Sequence, residues 1–200
     1  MNRDVMRRSK PKLYEDEAII LDTPPPTRLE RHTHLDKDML VAQVLGVEHF
    51  TLLEAAINQS LNPRPGMRIY IGKDVPRPLI RIVRRIGYSE LTENAKYELE
   101  KAVESIVKLR EDRITEFINT CGPLTPRLHA LEALPGIGKK LSMRIIEERN
   151  KEPFKNFADV EKRVGIQNIE KIIAKRILEE LSDPNTRHWL FARPPAHQGI

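Results

Sequence analysis

A chain of 200 residues carrying a net charge of +5 can hold one large domain or two small ones. Its 40 % hydrophobic and 32 % charged residues allow a core beneath a well-solvated surface. The single cysteine, Cys121, excludes an internal disulfide framework and any four-cysteine zinc site. No apolar run approaches the length of a bilayer span and no secretory h-region opens the chain, so a cytoplasmic protein without a membrane partner is expected.

In chain order, residues 1–12 carry Arg3, Arg7, Arg8, Lys10 and Lys12 against Asp4, the composition of a basic flexible arm. Glu17–Asp22 is a short β-rich run that Pro24, Pro25 and Pro26 terminate. Thr27–Asp38 reads as a polar loop. Its His32 and His34, with Asp36 and His49, fit no closed metal-ligand spacing, so no metal site is expected. Met39–Val47 is β-branched enough for a strand, whereas Phe50–Ile57 suits either a strand or a helix. Asn62–Gly66 is a turn, Met67–Gly72 alternates as a half-buried strand, and Leu79–Ile86 follows a second proline-rich loop.

Short strands punctuated by proline and glycine, with no helix of crossover length between them, point to a small antiparallel barrel or sheet. An OB-like β-barrel over residues 13–91 is the expected form. Arg77, Arg81, Arg84 and Arg85, near Tyr70 and Tyr88, are the residue types of a single-strand-binding groove. They equally suit a charged edge strand that resists aggregation.

At Thr92 the pattern changes to helical periodicity, and residues 92–183 are expected to form a separate, independently folding all-α domain ahead of a tail at 184–200. The class is thus α+β with two domains. Thr92 caps the first helix, in which Ala95, Leu99, Ala102, Val103, Ile106 and Val107 recur on one face. This is one long helix, or two joined near Glu111. Thr125-Pro126 predicts the start of a short helix over Arg127–Leu134. Helices are further expected over Gly138–Asn150, Phe157–Val164 and Ile169–Leu181, and Trp189 in the tail is expected to pack back onto the protein.

Between two of those helices lies Leu134-Pro135-Gly136-Ile137-Gly138-Lys139-Lys140. Pro135 and Gly136 stop the preceding segment, and Gly138 stands at the first turn of the next helix. Amides there lack intrahelical partners and the macrodipole is positive. Without a Cβ at Gly136 or Gly138 a phosphate can approach the backbone closely, and Lys139, Lys140 and Arg144 add positive charge. Ile137 points into the core.

This pattern of apolar-Pro-Gly-apolar-Gly-basic resembles the helix-hairpin-helix family at every position of 134–140. The resemblance implies a grip on the sugar–phosphate backbone of nucleic acid without sequence reading. In some members a monovalent cation binds at the hairpin; no other cofactor is expected. Residues 163–168 look like a degenerate second copy, with Gly165 and Ile166 matching Gly136 and Ile137 but Gln167 in place of the second glycine. That copy is expected to be mainly structural, with Lys171, Lys175 and Arg176 near phosphate. The order of parts over most of the chain also resembles an archaeal family of uncharacterised proteins (DUF655-like) predicted to bind RNA.

A non-catalytic nucleic-acid-binding protein is therefore expected, with RNA favoured over DNA and a ribosomal or other protein as a further partner. The expected contacts are Gly136, Ile137, Gly138, Lys139, Lys140 and Arg144, with Arg81, Arg84 and Arg85 on the β-rich part. Asp159 and Asp183 do not recreate the catalytic end of a hairpin glycosylase, because the chain ends too soon to build a base pocket. No paired-carboxylate or nucleophile–base motif stands out. The alternative is a docking module inside a larger complex.

Overall fold

The computed structural model describes residues 14–24, 36–76, 78–183 and 185–193. The basic arm, the His32/His34 loop, Arg77 and the end of the tail lie outside them. Strands β1 (Glu17–Asp22), β2 (Met39–Gly46) and β3 (Leu52–Asn58) form an antiparallel meander. β4 (Arg68–Tyr70) adds beside β1 and β5 (Ile80–Arg85) beside β3, giving the order β4-β1-β2-β3-β5.

The expected OB-like barrel is not formed: this sheet stays open. β4 is antiparallel to β1 and β5 to β3, and β1 and β3 share one direction, so β4 and β5 run the same way at opposite edges. The chain between them crosses from edge to edge, and the two edge strands do not pair.

The ambiguous Phe50–Ile57 segment resolves as strand because the sheet is covered on both faces. Ile19, Leu21, Leu45 and Leu52 face the helices. Ala18, Ile20, Val44, Ala55 and Ile57 form a second cluster with Ile69 and Ile71. Every residue of β3 except Asn58 is buried. Burial on both sides removes the alternation by which a strand is usually read.

Helix α1 (Glu93–Leu109) runs between the sheet and the last helix, α5 (Ile169–Ser182), lying against β1 on one side and α5 on the other. The helical run breaks at Arg110, and α2 (Glu111–Thr120) follows, so the chain makes two helices here. Thr92 caps α1, accepting the Ala95 amide at 3.0 Å. It also reaches the sheet: its hydroxyl donates to the Asp22 carboxylate, and the buried Gln43 side chain accepts its amide at 2.9 Å. One apolar cluster extends from Ile19, Leu45 and Leu52 of the sheet through Leu99, Val103 and Ile106 to Ile173 and Ile177 of α5.

The expected helix over Arg127–Leu134 is absent. Strands β6 (Pro123–Thr125) and β7 (Leu128–His129) form a two-stranded ribbon there, followed by a single 3-10 turn at Ala130–Ala133. Pro126 occupies the ribbon's turn, a place its fixed φ suits as well as a helix start. The capping box lies three residues beyond it: the His129 ring accepts the Leu131 amide, and the Glu132 carboxylate accepts the His129 amide.

After α3 (Lys139–Lys151) and α4 (Phe157–Val164), the tail returns over α5. The fully buried Glu180 carboxylate accepts the amides of Leu190, Phe191 and Ala192 at 2.9–3.0 Å and is paired with Arg176 at 2.9 Å. Trp189, Leu190 and Phe191 consequently pack against the main cluster.

Because Thr92 serves both as cap and as bridge, Thr92→Ala should lower stability by about 1–2 kcal/mol in urea unfolding. Leu99→Ala, in the shared core, should cost about 2–5 kcal/mol. A segment limited to 92–182 should melt below the full chain and less cooperatively, since the side of α1 that meets β1 would be uncovered. An equally steep and equally high transition would show that the sheet contributes nothing to it.

Candidate nucleic-acid interface

The loop from Leu134 to Gly138 is anchored from beneath. Leu134 and Ile137 are buried in the main cluster, and the Ile137 amide donates to the Leu134 carbonyl at 3.0 Å. Gly136 has φ of +78°, a conformation an L side chain resists, while Gly138 is extended at φ −82° and forms the N-cap of α3. A Cβ built on either glycine meets nothing within 4 Å. The backbone is therefore open to an incoming group at both positions.

Gly138 offers no side-chain cap to the first amides of α3, and the first turn contains no acid. Lys139, Lys140, Met143 and Arg144 are exposed on the first turns of the helix. Among the described residues no carboxylate pairs with Lys139, Lys140 or Arg144. Below this surface Ile145 is buried with Ser142, and Leu141 and Ile146 are half-buried, as helical spacing requires.

The second turn repeats the backbone of the first and differs in its chemistry. Gly165 has φ of +73°, close to that of Gly136, and follows α4 as Gly136 follows the 3-10 turn. The N-cap of α5 is Asn168, one residue later than the Gly138 alignment places it, and Asn168 itself is left-handed at φ +56°. Here the protein satisfies its own helix end. The Glu161 carboxylate accepts the Ile169 amide at 2.9 Å, and Glu170 occupies the first turn. The two turns also meet: the Arg144 guanidinium lies 3.6–3.8 Å from where a Cβ of Gly165 would stand. Arg144 thus carries the positive surface of α3 toward the second turn.

Arg163 and Arg176 are engaged inside the protein. Arg163 pairs with Asp159 and Glu148 and donates to the Glu148 and Glu152 carbonyls at the end of α3. Arg176 donates to Glu180 and to the His188 carbonyl. Lys171 and Lys175 remain exposed.

Arg81, Arg84 and Arg85 stand apart from this surface, on edge strand β5. Arg84 grips both oxygens of Glu54 on the neighbouring strand, at 2.8 and 3.0 Å, and Glu90 at 2.6 Å. Burial opposes its charge, yet the bonds from Glu90 and Glu54 hold its pKa above the usual value. Arg85 is pushed the other way, by burial and then by Arg193. Sequence spacing grouped these arginines, but the cross-strand partner of Arg84 is set by the β3–β5 ladder and has no local signature. Tyr70, expected to stack bases, is exposed, and its hydroxyl donates to Asp74 at 3.3 Å.

Among the described residues no cluster of histidine, cysteine, aspartate and glutamate is arranged to hold a metal ion, and no helix is long and apolar enough to cross a membrane.

A family model described as "Protein of unknown function (DUF655)" matches residues 14–193. The chain belongs to this family. A DUF655 structure from Archaeoglobus fulgidus, that of Af1531, superimposes with a TM-score of 0.74 at 41 % identity, covering 90 % of this chain and all of that one. "Uncharacterized protein MJ0038" of Methanocaldococcus jannaschii is 40 % identical over 189 residues, 94 % of this chain and 84 % of its own. The family match thus takes in the sheet, the helices and the tail together.

The two glycines of the first turn make separate predictions. Gly136→Ala forces a side chain into the left-handed region and should cost about 1–2 kcal/mol although the space is open. Gly138→Asp supplies the missing cap without strain and should stabilise the fold by about 0.5–1 kcal/mol. Thermal and urea unfolding of the two variants would check both signs.

Proposed function

We propose that this protein is a non-catalytic nucleic-acid-binding protein that grips the sugar–phosphate backbone through Leu134–Lys140 acting as a helix-hairpin-helix motif. RNA is favoured over DNA on the resemblance of the whole chain, and the cytoplasm is the matching location. The observation that carries the reading is the bare start of α3: a glycine-capped, acid-free helix N-terminus behind two open glycines, beside Lys139, Lys140 and Arg144, which no carboxylate pairs among the described residues. A phosphate supplies what that end lacks, an acceptor for its amides and a counter-charge for its dipole. The self-capped start of α5 offers no such vacancy, so the second turn supports the first mainly through Arg144. The net charge of +5 brings polyanions toward the whole molecule.

Contacts of this kind position a backbone and read no bases. Labelled RNA and DNA, single- and double-stranded, should bind with little sequence preference and with a log K–log salt slope of about −2 to −3. Lys139→Glu combined with Lys140→Glu should weaken every sequence alike and flatten that slope by about two. Gly138→Asp should lose binding while gaining stability, which separates a phosphate site from a merely structural turn. A salt-independent affinity, or one unchanged in the double variant, would remove the hairpin as the binding site and leave docking to a protein partner as the better reading.

A further inference from the structure

A second concave feature lies where the β2–β3 turn, α2 and the returning tail meet. It is a cavity of about 130 Å³ walled by Phe50, Ile114, Phe117 and Phe191, with Arg110 and Arg113 among its lining residues. Phe117 and Phe191 pack at 4.7 Å between ring centroids, tilted by 60°. Glu180 fixes the tail that brings Phe191 here. Phe50 enters the wall from a left-handed backbone at φ +50°, a strained conformation for an aromatic residue.

The charged residues that line the cavity are Arg110 and Arg113, while two carboxylates hold the adjacent turn: Glu48, and Glu15, which accepts the amides of Glu48, His49 and Thr51. Arg113 is exposed and donates to the Glu48 carbonyl, and Arg110 stands 4.0 Å from the Glu48 carboxylate. That carboxylate is also held by the amides of Asp16 and Glu17. The His49 carbonyl accepts the Arg193 amide, which brings a third arginine to the same turn. His49 feels both signs: burial first, then the charge of Arg113, holds its pKa below the ordinary value against an opposing pull from Glu48, with Arg193 and Arg110 adding smaller depressions.

We infer that this pocket binds a single-ring nucleobase, with the attached phosphate held by Arg110 and Arg113. An apolar cavity of about 150 Å³ takes one benzene ring, so about 130 Å³ open to solvent on one side is on the scale of a single inserted ring and favours it over the two fused rings of a purine. Aromatic walls supply stacking for any flat π-face. Two guanidiniums, neither in a close ion pair, supply the charge complement of a phosphate. The same chemistry has two sources, a free pyrimidine nucleotide or an unpaired pyrimidine within a strand. The second source rests on the nucleic-acid reading above and would give the protein a preference for pyrimidine-containing single strands that the hairpin alone does not provide.

The chain's only tryptophan, Trp189, adjoins the wall residues Leu190 and Phe191 and serves as a native reporter. Full-length protein would be titrated with uridine monophosphate, uridine, adenosine monophosphate and inorganic phosphate, following Trp189 fluorescence. A saturable response to uridine monophosphate is expected, about tenfold weaker for uridine, which lacks the charged hydrogen-bond partner. Adenosine monophosphate should bind more weakly than uridine monophosphate. Ile114→Phe, which fills the cavity, should abolish the response. Arg110→Ala, a change at a partly exposed position, should reduce uridine monophosphate to the level of uridine. Far-UV circular dichroism confirms that each variant is folded.

Short labelled oligouridine and oligoadenine then distinguish the sources. Preference for oligouridine that disappears in Ile114→Phe assigns the pocket to a strand, and its absence beside mononucleotide binding assigns it to the free nucleotide. No saturable response to uridine monophosphate, equal binding of adenosine monophosphate, or a response unchanged in Ile114→Phe overturns the proposal, as does a pocket that takes an acidic aromatic peptide and no nucleotide. RNA binding that depends on Lys139 and Lys140 without any mononucleotide response sinks the pocket alone. Mononucleotide binding beside RNA binding indifferent to those lysines sinks the hairpin alone.

Discussion

Thr92 occupies the junction on which the arrangement of the chain depends. Its side chain accepts the Ala95 amide and donates to Asp22, while its own amide donates to Gln43. The start of α1 is thereby fixed to the two central strands in both direction and register. The helix must then run across the sheet, and its opposite side becomes the platform for α5. Everything that presents the candidate interface, from α3 through α5 to the tail, is assembled on that platform. Asp22 and Gln43 are polar groups in an apolar setting, and Thr92 bonds to both. The Thr23 amide donates to the other Asp22 oxygen and the Gln43 side-chain NH2 donates to the Glu90 carbonyl, so their burial is tolerable.

The two glycine turns show how one backbone shape can serve two ends. Gly136 and Gly165 share a left-handed conformation, which lets the chain reverse over a buried isoleucine or valine. Beyond the turns, the helix starts differ by one residue in position and by the sign of nearby charge. At α5 the amides face Glu161 and the helix end is neutralised from within. At α3 no side chain fills that role and lysines take the place of acids. A helix end capped by glycine gives up roughly a few tenths of a kcal/mol of capping, besides the dipole interaction an acid would add. Such a local deficit is expected where a ligand rather than a side chain completes the structure.

The helical half was legible because its signals are local. Thr92 caps where its side chain suggests, and the apolar faces of α1 and α4 follow helical spacing. Leu134–Lys140 announces itself within seven residues. The sheet was harder to read, since β2 and β3 are buried on both faces and lose their alternation. Its open form lies in where β4 and β5 are placed in the whole sheet, at opposite edges and unpaired, which no single segment encodes. Pro126 misled because a helix start and a turn ask the same φ of proline. The pairing of Arg84 with Glu54 has no local signal, because it is set by the ladder between β3 and β5. The pocket of Phe50, Phe117 and Phe191 had no sequence signal at all, because three distant segments form it.

The carboxylate of Glu180 has a consequence for the order in which the molecule is completed. It sits on the last helix, is wholly buried, and waits for three amides that come from the final described stretch of the chain. During synthesis the helix leaves the ribosome before those amides do, so a carboxylate destined for the interior has only Arg176 of its own helix as a partner until the tail arrives. A nascent or prematurely terminated chain therefore carries a conspicuous defect, a hydrated carboxylate beside unfilled apolar surface.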